Sequence, residues 1–397
     1  MDISRKNISA ALIMALAFIG SLTLYFYWND GINRILLVLS FAILLVLALL
    51  NRAFSDRTFF VIICVNLASL IVTVASHKGL GVAMLFINLL LACAVFNNAG
   101  LSRMTYIWVH LIPALMWSAF CVAAIKGSFY YGDTYLGETY WGYKCFGMII
   151  NENTIGLLSL ACIFHWACAI EQMHLRKMTR LLVTVIISIL PAWRIVQSGC
   201  RSVLLALLLF CVLCVFLRKP LAHRTYYFIV VGGILLSVLF ALLYCMFIER
   251  LDIGEVMGRD SNSRIYIWQA AFDLIKQYPL FGSGTEIRMV MLDSAHNTVL
   301  SWMKTIGLIP TLTYVFFLVA VRKKSENTCS RIAQAAVIAG LIIGFFESFY
   351  ADSFFYMSFI LFFLKREAAE DGSVSPAYFG NIGPSPVAGS ECGTHNE

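Results

Sequence analysis

Charge is what this sequence has least of. Asp, Glu, Lys and Arg make up 13% of its 397 residues, about half the share in a soluble domain. That scarcity excludes an ordinary water-soluble fold of this length. No basic helix with interleaved aromatics appears, so the net charge of +7 is no argument for nucleic acid. No internal repeat is visible, which removes solenoids and arrays. What the chain does have is apolar residues, 60% of the total, with a mean hydropathy of +0.82. They come in long runs, not in alternation or in one-faced stripes.

A run of about 20 apolar residues crosses the hydrocarbon of a bilayer as a helix. Only helices and closed barrels satisfy their own backbone groups in lipid, and these runs are too long and unbroken for barrel strands. The expected spans number about twelve: roughly 8–27, 34–50, 58–75, 79–97, 105–125, 147–170, 181–199, 201–217, 226–247, 296–320, 331–347 and 350–364. The first run follows Arg5 and Lys6 but is long enough to span, so it reads as a helix and not as a cleavable signal peptide. The expected fold is therefore an all-α polytopic membrane protein. Its transmembrane bundle covers 1–366, and its tail, 367–397, is rich in Gly, Pro, Ser and acidic residues and reads as disordered.

Positive charge sets the expected orientation. With the N-terminus in the cytoplasm, 17 of the 29 Lys and Arg fall on the inside, nearly all in short loops. Both termini and the tail are then cytoplasmic, and one large loop, about 249–295, lies outside. Within it, Asn262 or Ser263 can cap a helix starting near Arg264. Ile265, Trp268, Phe272 and Ile275 follow on one face, which makes the helix amphipathic. Pro279 ends it, and Gly282 and Gly284 form a turn.

Most of the 12 cysteines lie in expected spans, where a thiol is a small hydrophobe. Cys211 and Cys214 have redox spacing but no polar neighbour. Cys145 and Cys200 lie near the outer face and could pair, but a disulfide between them is not expected. His110 and His165 fall inside spans and read as buried groups bonded to a neighbouring helix.

Four motifs stand in order on the outer side: Asn151-Glu-Asn153 at a span start, Ser198-Gly-Cys-Arg201 before another, Arg264-Ile-Tyr-Ile-Trp268 with Pro279-Leu-Phe-Gly282-Ser-Gly284, and Ser294-Ala-His296-Asn297 opening a further span. That order resembles the O-antigen ligase and O-antigen polymerase superfamily of membrane glycosyltransferases, over a region of about 150–320. Cys200 stands where the family's pattern has a hydroxyl residue. The resemblance implies transfer of a glycan from a polyprenyl diphosphate to an acceptor hydroxyl at the outer face of the bacterial inner membrane. The acceptor is lipid A core for a ligase and another lipid-linked glycan for a polymerase. It also implies metal-independent chemistry without a cofactor, which agrees with the lack of an Asp-x-Asp motif in any outer loop.

The residue types suit that reaction. A diphosphate leaving group needs fixed cations, and the arginine fork binds phosphate bidentately without ever deprotonating. Arg201 and Arg264 match the family's arginine positions. His296 is the histidine at the end of the large outer loop and is the candidate base for the acceptor proton. Asn153 either binds substrate or caps its helix, and Arg194, next to Trp193, is a third phosphate contact or an interfacial anchor. Arg250, Arg259 and Arg288 read as loop charges, and Glu347 and Asp352 flank the last outer turn. The competing class is a transporter, such as a flippase for lipid-linked oligosaccharides. Transporters favour repeated halves and polar helices broken near the midplane, whereas here the halves differ, the midplane is nearly free of charge and the polar residues sit at one face.

Overall fold

The computed structural model describes residues 3–25, 30–53, 57–75, 100–130, 139–217, 219–251, 261–283, 297–312, 330–346, 361–362 and 364–366. The helices are α1 (Ile3–Tyr25), α2 (Asp30–Leu50), α3 (Arg57–Ala75), α4 (Arg103–Ala123), α5 (Glu152–Glu171), α6 (Lys177–Ser198), α7 (Arg201–Phe216), α8 (His223–Leu251), α9 (Ser261–Gln277), α10 (Thr298–Ile306) and α11 (Arg331–Phe346). The strands are β1 (Gly100–Leu101), β2 (Ile125–Tyr130), β3 (Thr139–Cys145), β4 (Met148–Asn151) and β5 (Lys365–Arg366). Among the described residues, five helices contain a stretch long and apolar enough to cross a membrane: Arg5–Leu22, Arg103–Ala123, Glu152–Glu171, Lys177–Ser198 and Arg224–Met246. Along α6, Leu181, Leu182, Val185, Ile186, Ile189, Trp193 and Val196 are all exposed. Such a continuous apolar face needs lipid, not water, as its solvent.

The core forms around α5. Its small residues Gly156, Ala161 and Cys168 let α4 and α6 pack closely, and nearly every residue from Ile155 to Ile170 is buried. His110 of α4 and His165 of α5 meet inside this core with Nδ1 atoms 2.9 Å apart. Their hydrogen bond needs one protonated and one bare Nδ1, and it is the helix-to-helix pairing expected of buried histidines.

Ion pairs lie at the two ends of the bundle. At one end, Glu171 accepts from Ser330 and from Arg331 Nε, and Arg331 Nη1 donates to Leu217 O at 2.8 Å. Gln334 Oε1 accepts from Leu221 N. The Arg331 guanidinium satisfies carbonyls that the C-terminus of α7 leaves open. The opposite end carries the sheet β2–β3–β4.

Two expectations need correction. The chain is not all-α: residues 125–130, 139–145 and 148–151 form a three-stranded antiparallel sheet, with Lys126 opposite Tyr143 and Tyr143 opposite Ile150. The run Thr139–Cys145 is rich in aromatic and β-branched residues, and Phe146 and Gly147 both take positive φ (47° and 81°) in the tight turn to β4. That is the geometry of a two-residue hairpin turn. The expected span 296–320 is not one helix: α10 ends at Gly307, φ 86°, and Lys304 within it is buried. Cys145 and Cys200 are both free thiols. Burial pushes the Cys145 thiol up to about 12, so it is inert as a nucleophile.

The expected span 79–97, nearly all of 350–364, the tail 367–397, Glu347 and Asp352 lie outside the described residues, as do loop segments 252–260 and 284–296 with Arg259, Arg288 and His296.

Candidate functional site

The Ser198–Arg201 motif is a helix-to-helix corner. Ser198 Oγ donates to Ile195 O at 2.7 Å and accepts from Cys200 N at 3.3 Å. Gly199 caps α6 in the left-handed region, φ 66°, where glycine carries no Cβ penalty. The corner sits tight against α5, because a Cβ on Gly156 would lie 2.8 Å from Ser198 Oγ. Cys200 then precedes α7 without making a side-chain cap. The first turn of α7 therefore presents backbone N–H groups beside the exposed side chain of Arg201. Amides and guanidinium together suit an anion.

Arg194 lies one turn back on α6 and faces inward, while Trp193 is exposed. Its Nε donates to Cys121 O at 2.8 Å and its Nη1 to Gln197 Oε1 at 2.9 Å. The guanidinium also lies 5.9 Å from the Tyr143 ring centroid. Arg194 thus clamps α6 to the end of α4 and to the sheet. Lys126 stands beside it on β2. Its Nζ donates to Gln197 O at 2.8 Å and pairs with Glu152 Oε1 at 2.9 Å. The carboxylate of Glu152 is the main cause of a raised Lys126 pKa. Burial raises that of Tyr143.

Asn153 is not the cap of α5. Asn151 takes that role, its Oδ1 accepting from Asn153 N at 2.8 Å.

The second part of the site is built on α8, α9 and α10. Trp268 is buried as expected, but Ile267 and Ala271 join it and Phe272 is only half-buried. The buried stripe is rotated because the small Ala271 and Ala241 allow close approach of α9 to α8. The helix also begins at Ser261, so Arg264 lies inside its first turn. After α9 the chain docks on the break in the expected span. Leu308 N donates to Pro279 O at 2.8 Å, Ile309 N to Leu280 O at 3.3 Å, and Ser283 N to Lys304 O at 2.7 Å. The two backbones meet through glycine on both sides. A Cβ on Gly282 would lie 2.4 Å from Thr305 O, and one on Gly307 would lie 2.2 Å from Leu280 O.

Asn297, the residue after His296, is fully buried and held three ways. Its Oδ1 caps α10 by accepting from Leu300 N, and its Nδ2 donates to Ser237 Oγ at 2.9 Å and Phe345 O at 3.2 Å. Those contacts locate it along the bundle. α7 runs from Arg201 at the sheet end to Leu217, whose carbonyl meets Arg331. α11 runs back from Arg331, and Phe345, fourteen residues on, lies about 21 Å along the helix. Asn297 is therefore level with the Arg201 end. That end gathers Arg201, Arg194, Lys126 and Asn297, and α9 with Arg264 packs on α8 and α10.

Composition, apolar helices and lipid-type exposure define a multi-pass helical membrane protein with a polar, cation-rich end. Residues 183–315 match the family model described as O-antigen ligase. This region, about a third of the chain, is similar to the O-antigen ligases, and the match supports a function of that broad, glycosyltransferase-like type. The match contains Arg194, Arg201, Arg264 and His296 but not Asn153 or Lys126. No curated protein matches the chain.

The residues that sequence reasoning passed over are Lys126, Tyr143, Glu152 and Gln197. Only the aromatic, β-branched run before Phe146-Gly147 signalled the sheet that brings two of them here.

Proposed function

We propose that this chain is a glycosyltransferase of the bacterial inner (cytoplasmic) membrane. It moves a glycan from a polyprenyl diphosphate to an acceptor hydroxyl at the outer face, in surface polysaccharide assembly. The acceptor is lipid A core or another lipid-linked glycan. The observation that carries the reading is the O-antigen ligase match over 183–315, which contains both family arginines and His296.

Arg201 and Arg264 hold the diphosphate, and His296 addresses the acceptor. The acceptor oxygen attacks the anomeric carbon, and the bond from that carbon to the diphosphate oxygen breaks. The polyprenyl diphosphate leaves with the bonding electrons, its charge met by the two arginines. The acceptor proton passes to His296 and then to solvent. The uncapped start of α7 supports a phosphate at Arg201. Arg194 serves the site differently from the sequence expectation. With two of its donors taken by Cys121 O and Gln197, it shapes the corner that presents Arg201. Asn153 lies on the first turn of α5 at the same end and lines the acceptor side. No metal or cofactor takes part.

The test is a reconstituted assay in liposomes, with a radiolabelled glycan on polyprenyl diphosphate and each acceptor class supplied in turn. The expected result is a new glycosidic product together with free polyprenyl diphosphate. Glycan that crosses the bilayer still attached to its carrier would replace this reading with the flippase.

A further inference from the structure

We propose that Lys126 is a further donor-binding cation, paired with Glu152 in the structure and handed over to the lipid diphosphate when the donor enters. The inference rests on the diphosphate-transfer reading above.

Lys126 occupies the right place. Its Nζ touches the carbonyl of Gln197, in the last turn of α6, and Arg201 begins the next helix just beyond the Gly199 corner. A diphosphate seated on Arg201 and the open amides of α7 would lie beside it. Strand β2 fixes the backbone of Lys126 through its pairing with Tyr143, while the four-carbon stem leaves the ammonium free to swing.

The present partner is easily exchanged. The side chains of Lys126 and Glu152 are 38% and 30% exposed, and ion pairs so open to water contribute little to stability. Glu152 also loses little when Lys126 leaves, because it stands in the first turn of α5, where the helix dipole favours a carboxylate. Arg194 is the contrast. Its guanidinium is committed to a carbonyl and an amide oxygen and cannot turn to a ligand without unclamping α6 from α4. Lys126 is therefore the cation at this corner that can be handed over. A phosphate offers it a stronger, more highly charged acceptor than Glu152 does.

This predicts opposite signs from two substitutions at one ion pair. The probe is a fluorescent short-chain prenyl diphosphate sugar, titrated against the full chain in detergent micelles. Lys126→Met should weaken its binding about tenfold, the worth of one charge-assisted hydrogen bond. Glu152→Gln frees Lys126 and should tighten binding about threefold or more. Lys126→Arg should stay near wild type, which guards against misfolding as the cause of a loss. If both Lys126→Met and Glu152→Gln weaken binding, or neither changes it, the pair is a structural strut and the proposal is wrong. Arg264→Ala separates the two levels. If it leaves binding intact, the diphosphate reading itself fails. If it weakens binding while Lys126→Met does not, only the role of Lys126 falls.

Discussion

Replacing Gly307 by alanine tests how the loop helix is held to the helix that follows His296. Gly307 has φ 86° and ψ 177°, a region open essentially to glycine alone. Alanine there costs about 1–3 kcal/mol in backbone strain. Its Cβ would also lie 2.2 Å from Leu280 O and 2.4 Å from Leu280 C, backbone atoms that cannot rotate away. The 279–283 segment must therefore retreat and give up the bonds from Leu308 N to Pro279 O and from Ile309 N to Leu280 O. Each such bond is worth about 1 kcal/mol net, so the sum is about 3–5 kcal/mol. Gly147 is the internal control. It too has a positive φ, 81°, but its Cβ would meet nothing within 4 Å, so Gly147→Ala carries strain alone. Thermal unfolding in detergent should show a Tm loss of roughly 5–10 °C for Gly307→Ala against about 2–4 °C for Gly147→Ala. Equal losses would refute the close docking of the two backbones.

Other outcomes follow from the same geometry. Arg194→Lys keeps the charge but cannot reach both Cys121 O and Gln197 Oε1, so thermal unfolding should show about 1–2 kcal/mol less stability. Donor affinity should fall only modestly, and a loss as large as that of Arg201→Ala would instead make Arg194 a phosphate ligand. Transfer should persist in excess EDTA, because arginines supply the positive charge; loss restored by magnesium or manganese would contradict this. Cysteine placed at the exposed Lys276, on a background without native cysteines, should react with an impermeant maleimide in intact cells. Labelling only after the inner membrane is breached would reverse the proposed orientation.

Much of this was legible because it is local. Helices α4 to α8 stand where apolar runs placed spans, and Pro279 ends α9 as a residue without an N–H should. Trp268 was readable as a core residue from spacing alone. Most of what escaped depends on contacts distant in sequence. Gly307 with Pro310 three residues on is a local helix-stop signal that the apolar run overrode, and Pro279, Leu280 and Ser283 supply the distant partners for the freed backbone groups. A broken helix is thus present where one continuous span was expected. Arg194 looked like an anchor or a ligand because Cys121 O, its main partner, is 73 residues away. The sheet was missed because its strands are short and lie between two strong helical signals. Lys126 and Glu152 acquire meaning only once that sheet folds over α5.

The central claim is a division of labour, arginines for the donor and His296 for the acceptor. The most direct measurement is single-turnover transfer by His296→Ala in micelles, with donor affinity measured on the same sample. The account predicts a donor Kd near wild type and turnover reduced about a hundredfold or more. Normal turnover by correctly inserted His296→Ala would contradict it, and the base would then have to come from another residue.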